Sequence, residues 1–406
     1  MFEAIEYSII VNNKDMFYAI GDIKMKILIT TDTYKPTVNG VVTSILNLKY
    51  GLEALGHDVK ILTLSKTTDS HEDDEVYYMG SLDMSQFYPD VRVRHRRGTT
   101  EVNQLMHWKP DIIHTHSELS TFSIARRLSR RLNVPLVHTY HTMYENYTHY
   151  FSFSKRVGRQ AVRRLTHHVS TSVDMIIAPS EKIREMLLSY EVMCPISVIP
   201  SGISLRAFEE GLSQDECKRA RNQLNIPLDH ILLASVSRIG KEKNIEELIR
   251  YMNHLKGEKI SLVIVGDGPY KNELEHLVRQ LGLTNQIKFT GMIDSQEIAR
   301  FYQIADLFVS ASTSETQGLT YVEALASGTP LLCKEDECLN GLLKESENGF
   351  SFQNEAQFFD KLNQFRQVSD KTLLSVNAKE IAKQYSTEAY VNHVLQLYEN
   401  LIATYQ

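Results

Sequence analysis

Short apolar runs alternate with amphipathic stretches along most of this chain. Residues 26–30 are a strand-sized apolar run and 33–40 a turn-rich loop. Residues 41–55 place Val42, Ile45, Leu48, Leu52 and Leu55 at helical spacing ahead of Gly56, a fitting C-terminal cap. Further strands are predicted at 59–64, 111–114, 136–138, 175–178 and 196–199, with a helical stretch at 120–132. Residues 206–221 are polar and charge-rich and read as a linker. Beyond them, strands at 231–236, 261–265, 287–290, 307–310 and 330–333 alternate with helices at 245–255, 270–281 and 318–326. Such alternation builds parallel sheets covered on both faces. Two runs of it predict an α/β protein of two Rossmann-like domains, residues 25–207 and 208–385. Residues 387–404 carry Tyr390, Val394, Leu397 and Leu401 on one face, which predicts a terminal helix within a last segment, 386–406. Residues 1–24 match no element. They read as a native arm or as the product of an upstream start codon, the second being favoured.

Composition narrows the class. Of 406 residues, 42% are hydrophobic and 23% charged, so disorder and coiled coil are excluded as the main state. No apolar run approaches the ~20 residues of a spanning helix. Glu3 and Glu6 stand where a secretory leader would carry basic residues. Cys194, Cys217, Cys333 and Cys338 lack redox or zinc spacing, so a reduced cytosolic protein is expected.

Charge changes the picture further. The net charge is −6, yet residues 85–170 hold 14 basic and 5 acidic residues, and nine of the 15 histidines. The basic runs are Arg92 to Arg97, Arg126-Arg127 with Arg130-Arg131, and Lys155-Arg156 through Arg159, Arg163 and Arg164. Each could be a solvated face. Three in one segment favour an anionic partner. Nucleic acid is disfavoured, because no helix-turn-helix, finger or RNA-recognition signature accompanies the charge.

Candidate chemistry lies at predicted strand ends, where open α/β sheets bind ligands. Thr37-Val38-Asn39-Gly40-Val41 joins the first strand to the first helix; Gly40 permits close backbone approach to a phosphate, or is an ordinary turn glycine. In Ser237-Arg238-Ile239-Gly240-Lys241-Glu242-Lys243-Asn244, Arg238 and Lys243 suit a diphosphate. Gly266-Asp267-Gly268-Pro269 is a tight turn or a ligand contact. In the string from Ser312 to Pro330, Glu315 precedes the helix start Gly318-Leu319-Thr320, whose free N–H groups offer an anion site, and Glu323 lies two turns on. His114-Thr115-His116 and His138-Thr139-Tyr140-His141 end two strands. They are ligands, catalysts or scaffold; neither pair has a convincing third ligand, so no metal is expected.

With these residues the chain resembles the retaining GT-B glycosyltransferases of family 4, which includes sucrose synthase, the phosphatidylinositol mannosyltransferases and bacterial glycolipid synthases. The Glu315/Glu323 pair, the Arg238/Lys243 pair and the two Rossmann halves carry the resemblance, from Met25 to the C-terminus. Ser314-Glu315-Thr316-Gln317-Gly318-Leu319-Thr320-Tyr321, Gly266 to Tyr270 and His138 to Tyr144 look most like the subgroup that glucosylates diacylglycerol. The resemblance implies two domains facing a central cleft, with the terminal helix crossing back to the N-terminal domain. It implies UDP-glucose as donor, the 3-hydroxyl of 1,2-diacylglycerol in an anionic membrane as acceptor, and α-monoglucosyldiacylglycerol as product. Arg238 and Lys243 would bind the diphosphate, Glu323 the ribose, Glu315 the hexose near its 3- and 4-hydroxyls, and His141 its 6-hydroxyl. Gly40 would approach the diphosphate from the other domain. Gly268, Gln317, Gly318, Leu319 and Thr320 would line the donor site, and the backbone around Met292 would receive the uracil. His141, Glu315, Arg238 and Lys243 are the implied catalytic set, with no cofactor and no divalent cation. A single Gly40 replaces the glycine pair of many relatives.

The implied chemistry is transfer with retained configuration through an oxocarbenium-like transition state, the charge on the departing UDP being met by Arg238, Lys243 and the helix end. No carboxylate pair marks a two-step glycosidase route, so same-face attack is expected. Residues 152–169, read as a helix, place Arg156, Arg159 and Arg163 on one side beside Val157, Ala161 and Leu165. An anionic lipid surface would attract such a face by roughly 1 kcal/mol per basic residue. Lys155 and Arg164 extend it, and Tyr144, Tyr147, Tyr150, Phe151 and Phe153 supply interfacial aromatics. An ordinary packed helix with a wet basic face is the alternative. The expected location is the inner face of the cell membrane. UDP-galactose fits as well as UDP-glucose, and a glycosylated lipid, a soluble acceptor or a glycan could replace diacylglycerol. A non-catalytic subunit is disfavoured by the intact charged residues, and a dehydrogenase by the missing glycine fingerprint.

Overall fold

A computed structural model describes residues 24–37, 39–84, 91–95, 99–143, 155–294 and 296–405. The first sheet orders its strands as Ile196–Val198, Met175–Ala178, Leu136–Thr139, Ile112–Thr115, Lys26–Thr30, Asp58–Leu64, Val76–Met79 and His71–Asp73. All its pairings are parallel except the last. The second sheet is parallel throughout, ordered Ile287–Phe289, Ile260–Val265, Ile231–Val236, Leu307–Ser310, Leu331–Lys334 and Gly349–Phe352. Parallel strands buried on both faces need continuous apolar sequence, and Ile260–Val265 is buried at every position. Each sheet carries a core cluster on either face.

Strand order reverses once in each domain. In the first sheet the reversal falls between Lys26–Thr30 and Ile112–Thr115; in the second it falls between Ile231–Val236 and Leu307–Ser310. At such a reversal the connecting helices depart to opposite faces and leave a crevice beyond the strand ends. The loops bearing Gly40, His116, Arg238 and Glu315 all leave strands flanking these two crevices.

The chain crosses between domains twice, and the two crossings are laced together. Ile203 N–H donates to the Tyr385 carbonyl (2.9 Å) and Thr387 N–H donates to the Ile203 carbonyl (2.9 Å). The terminal helix Thr387–Tyr405 then packs on the N-terminal domain. Its Tyr390, Val394 and Tyr398 join Ile27, Ile45 and Leu48 in one core. Gly51 makes this packing possible, since a Cβ there would lie 2.4 Å from Val391.

The stretch read as a linker is structured. Arg206–Glu209 and Gln214–Gln223 are helical, the second opened by a reciprocal Ser213–Glu216 capping box. Only Phe208 and Ala220 of these two helices are fully buried, in the core of the C-terminal domain. So little apolar surface leaves hardly any periodic signal. The helices Glu181–Ser189, Glu355–Gln367 and Lys371–Ala382 and the strand Gly349–Phe352 also went unread.

Candidate functional site

The loop after Ile231–Val236 is fixed by Ile239, which is fully buried. Ile239 N–H donates to the Asp267 carbonyl (2.9 Å) and the Ile239 carbonyl accepts from Tyr270 N–H (3.1 Å). This lacing requires both glycines of Gly266-Asp267-Gly268. A Cβ on Gly266 would meet the Ser237 carbonyl oxygen at 2.0 Å, and one on Gly268 would meet that of Ile239 at 2.4 Å; Gly266 also has φ +129. Gly268 thus supports the Arg238 loop through its backbone. Met292 is 68% exposed at the rim, just past Gly291, whose carbonyl accepts from Gly266 N–H at 3.1 Å.

The charged groups converge on the next loop. Lys243 Nζ donates to Glu315 Oε1 at 2.7 Å. Arg238 lies 3.4 Å from the buried Glu242 carboxylate while its own side chain stays 46% exposed. Ser314 Oγ donates to the Glu242 carbonyl (3.1 Å), tying the two loops together. Gly318, at φ +79, turns the chain into the helix Leu319–Ala326. Leu319 and Thr320 therefore present N–H groups at a helix start beside the cations, an arrangement that favours an anion. One residue missed by sequence reading is Tyr302, whose hydroxyl donates to Glu323 Oε2 at 2.5 Å. Enclosure pushes the half-buried Glu323 carboxyl up to about 7, and the Tyr302 bond lowers it.

The N-terminal domain closes the other side. Asn39 caps the first helix, accepting from Val42 N–H at 2.9 Å, and Gly40 opens it. A Cβ on Gly40 would lie only 3.5 Å from Leu319 Cδ1, so the two helix starts face each other across the cleft. His141 and His116 share a hydrogen bond, Nε2 to Nδ1, at 2.8 Å. His114 bonds the Tyr398 hydroxyl (2.6 Å) and the Thr139 hydroxyl (2.7 Å). Burial lowers His114 and His116 well below the usual histidine range and takes His141 to about 3. These imidazoles are neutral at pH 7. Among the described residues no group of three or more His, Cys, Asp or Glu could hold a metal ion.

One expectation needs correction. The Gln317 side chain is not free for a donor: it accepts from Ser201 N–H and donates to the Ser201 carbonyl, both at 2.8 Å, bridging the domains. On the basic helix, Val157 and Ala161 are exposed and Leu165 is half-buried, beside the arginines. Val157 is 60% exposed, whereas Val162, Thr166 and Val169 face inward on Lys155–Ser170. Arg156, Arg159, Arg163 and Arg164 are exposed, but Arg163 donates to the Ser189 carbonyl (3.2 Å) and lies over the Tyr190 ring. The aromatic cluster at Tyr144, Tyr147, Tyr150, Phe151 and Phe153 lies outside the described residues. Among the described residues no helix is long and apolar enough to cross a membrane.

Comparison with known proteins places the chain. A family profile described as glycosyl transferases group 1 matches residues 217–385, and one described as Glycosyltransferase Family 4 matches residues 38–207. Alpha-monoglucosyldiacylglycerol synthase of Streptococcus pneumoniae is 40% identical over 335 residues, 82% of this chain and 76% of that protein. This chain is a family 4 glycosyltransferase. The enzyme of the same name from Acholeplasma laidlawii is 31% identical over 393 residues, 93% of this glycosyltransferase and 98% of that protein. Among solved structures, a sucrose-phosphate synthase from Thermosynechococcus elongatus superimposes with a TM-score of 0.72 at 21% identity, covering 94% of this chain and all of that one. Anabaena HepE in complex with UDP-glucose gives 0.72 at 18% identity, covering 93% of this chain and all of that one. The fold is therefore GT-B.

Proposed function

We propose that this glycosyltransferase moves glucose from UDP-glucose to the 3-hydroxyl of 1,2-diacylglycerol with retained configuration, at the inner membrane surface. The observation that carries the reading is the Lys243–Glu315 pair beside the helix start at Gly318, directly across the cleft from Gly40. The relatives named alpha-monoglucosyldiacylglycerol synthase support the choice of acceptor and of transferred sugar.

The geometry suits the chemistry as follows. Arg238, Lys243 and the N–H groups of Leu319 and Thr320 supply positive potential where the diphosphate gathers charge on leaving. Such stabilisation is strongest with water excluded. Glu315 is held by Lys243 for the hexose hydroxyls. Glu323 offers a carboxylate oxygen to the ribose while Tyr302 occupies the other. His141, neutral and held by His116, serves the 6-hydroxyl as a hydrogen-bonding group. Arg156, Arg159 and Arg164 face solvent as cations for an anionic lipid surface, with Arg126, Arg127, Arg130 and Arg131 on the adjoining helix; Arg126 lies 3.3 Å from His168 of the basic helix.

The test is incubation with diacylglycerol vesicles and either UDP-glucose or UDP-galactose, followed by mass spectrometry of the lipids. A monohexosyl lipid formed faster from UDP-glucose is expected. Equal use of both sugars would overturn the donor assignment, and absence of any hexosyl lipid would overturn the acceptor.

A further inference from the structure

Lys182 has no part in the roles above. It lies in the first turn of the helix Glu181–Ser189 on the N-terminal domain, and its ammonium reaches into the C-terminal domain. It donates to both Asp336 carboxylate oxygens (2.7 and 2.6 Å), to the Thr313 carbonyl (3.1 Å) and to the Glu315 carbonyl (3.0 Å). The two charged side chains keep only 10% and 6% exposure. Beside them Ser180, the cap of the same helix, donates its hydroxyl to the Thr316 carbonyl. The three N–H bonds of Lys182 and the Ser180 hydroxyl thus face five oxygens, all from the opposite domain, and three of those oxygens belong to the segment that carries Glu315.

We infer that Lys182 is a positioning residue that couples closure of the two domains to the placement of Glu315. The inference rests on the donor-site reading of Glu315 given above. Lys182 and Asp336 lose water only when the domains meet. Apart, each regains hydration, and residues 313–316 lose the clamp on their carbonyls. Asp336 also accepts from Cys338 N–H (2.9 Å) within its own turn, a bond to which the lysine contributes nothing. Removing the ammonium leaves a dehydrated carboxylate only in the closed arrangement. The cost therefore falls on closure and not on the folding of either domain.

The test compares full-length wild type with Lys182→Met, which keeps the chain length and removes the charge. Small-angle scattering without substrate reads closure, calorimetry reads UDP affinity, and steady-state kinetics read transfer against UDP-glucose hydrolysis. The expected result is a larger radius of gyration, a kcat lower by roughly 30-fold or more, and a higher ratio of hydrolysis to transfer as water enters. UDP affinity should move by less than about threefold, because the charged side chains assigned to the nucleotide lie on the C-terminal domain and Lys182 touches none of them. Asp336→Asn should reproduce these changes should Lys182→Met fold poorly, and the double variant should be no worse than either single one. Wild-type compactness together with wild-type kcat would overturn the inference. So would a loss of UDP affinity equal to the loss of kcat in a particle that stays compact. Scattering and UDP binding need no acceptor. A wild type that transfers nothing to lipid would count against the proposed acceptor, and the scattering comparison would still decide the role of Lys182.

Discussion

The Tyr302 hydroxyl donates to Glu323 Oε2 across 2.5 Å, from a side chain that is itself fully buried. Burial has the larger say in the charge of Glu323, and this bond opposes it. Enclosure takes the carboxyl from 4.5 to about 7, and Tyr302 is the group that opposes the rise. A carboxylate must be ionised to accept from both ribose hydroxyls, so UDP affinity should increase as pH rises through 7. Folding stability runs the other way: a raised carboxyl pKa contributes stability that is present below 4.5 and lost as pH climbs to about 7. Tyr302→Phe removes the opposing bond. At pH 7 it should weaken UDP binding by roughly tenfold and shift the midpoint of the pH profile upward. Calorimetry between about pH 6 and pH 8 checks both. A pH-independent wild-type affinity would remove Glu323 from the ribose site.

Gly40 faces Leu319 with room for one methyl group and no more, since its Cβ would already lie 3.5 Å from Leu319 Cδ1. Gly40→Ala should be tolerated. Gly40→Val places branches against Leu319 or the bound diphosphate, and should lower kcat by about 100-fold, the scale set by a 1 Å misplacement of reacting groups. If Gly40→Val kept full activity, the cleft would have to be wider than this contact implies.

The alternating strands and helices were legible because parallel strands buried on both faces need nearly continuous apolar runs, as in Ile231–Val236 and Ile260–Val265, each broken by a single serine. Gln214–Gln223 was not, because only Ala220 is fully buried and most of the remainder is polar or charged. At the site, Glu315, Glu323, Arg238 and Lys243 stood out through their spacing beside predicted strand ends and helix starts. Tyr302, Ser201 and Lys182 did not, because each meets its partner through tertiary contact. Tyr302 is 21 residues from Glu323, and Lys182 is 154 residues from Asp336. Gln317 was misread for the same reason: an amide next to a sugar-binding signature looks like a ligand contact until Ser201, 116 residues away, occupies it.

Three histidines, His114, His116 and His141, are held neutral by burial, with folded-state pKa values below the ordinary 6.5. The unfolded chain takes up protons on them as pH falls below 6.5, and the folded chain does not. Stability is therefore lost progressively as pH falls below 6.5, down to about 3 for His141. Glu323 and Asp32, carboxyls that burial raises, act oppositely within part of that window, while His57, also lowered by burial, adds to the histidines. The urea midpoint should fall as pH drops from about 7 to 5, and His114→Asn should flatten the fall. A midpoint that rises on acidification would mean that these rings are already charged in the folded protein.

Arg156 and Arg164 are exposed on the basic helix, whereas Arg163 is engaged with Ser189 and Tyr190. The double variant Arg156→Ala with Arg164→Ala should weaken binding to vesicles rich in anionic lipid by about 2 kcal/mol, near 1 kcal/mol per charge. UDP affinity should stay as it was. Flotation at low and high salt measures the effect, and salt-insensitive binding of wild type would exclude the electrostatic role.

Anomeric configuration of the lipid product tests the central claim most directly. Wild type, UDP-glucose and diacylglycerol vesicles should give α-linked monoglucosyldiacylglycerol by nuclear magnetic resonance. Glu315→Ala and Lys243→Met should each lower its rate by about 100-fold or more. A β-linked product, or an α-linked product formed at an undiminished rate by both variants, would contradict the account.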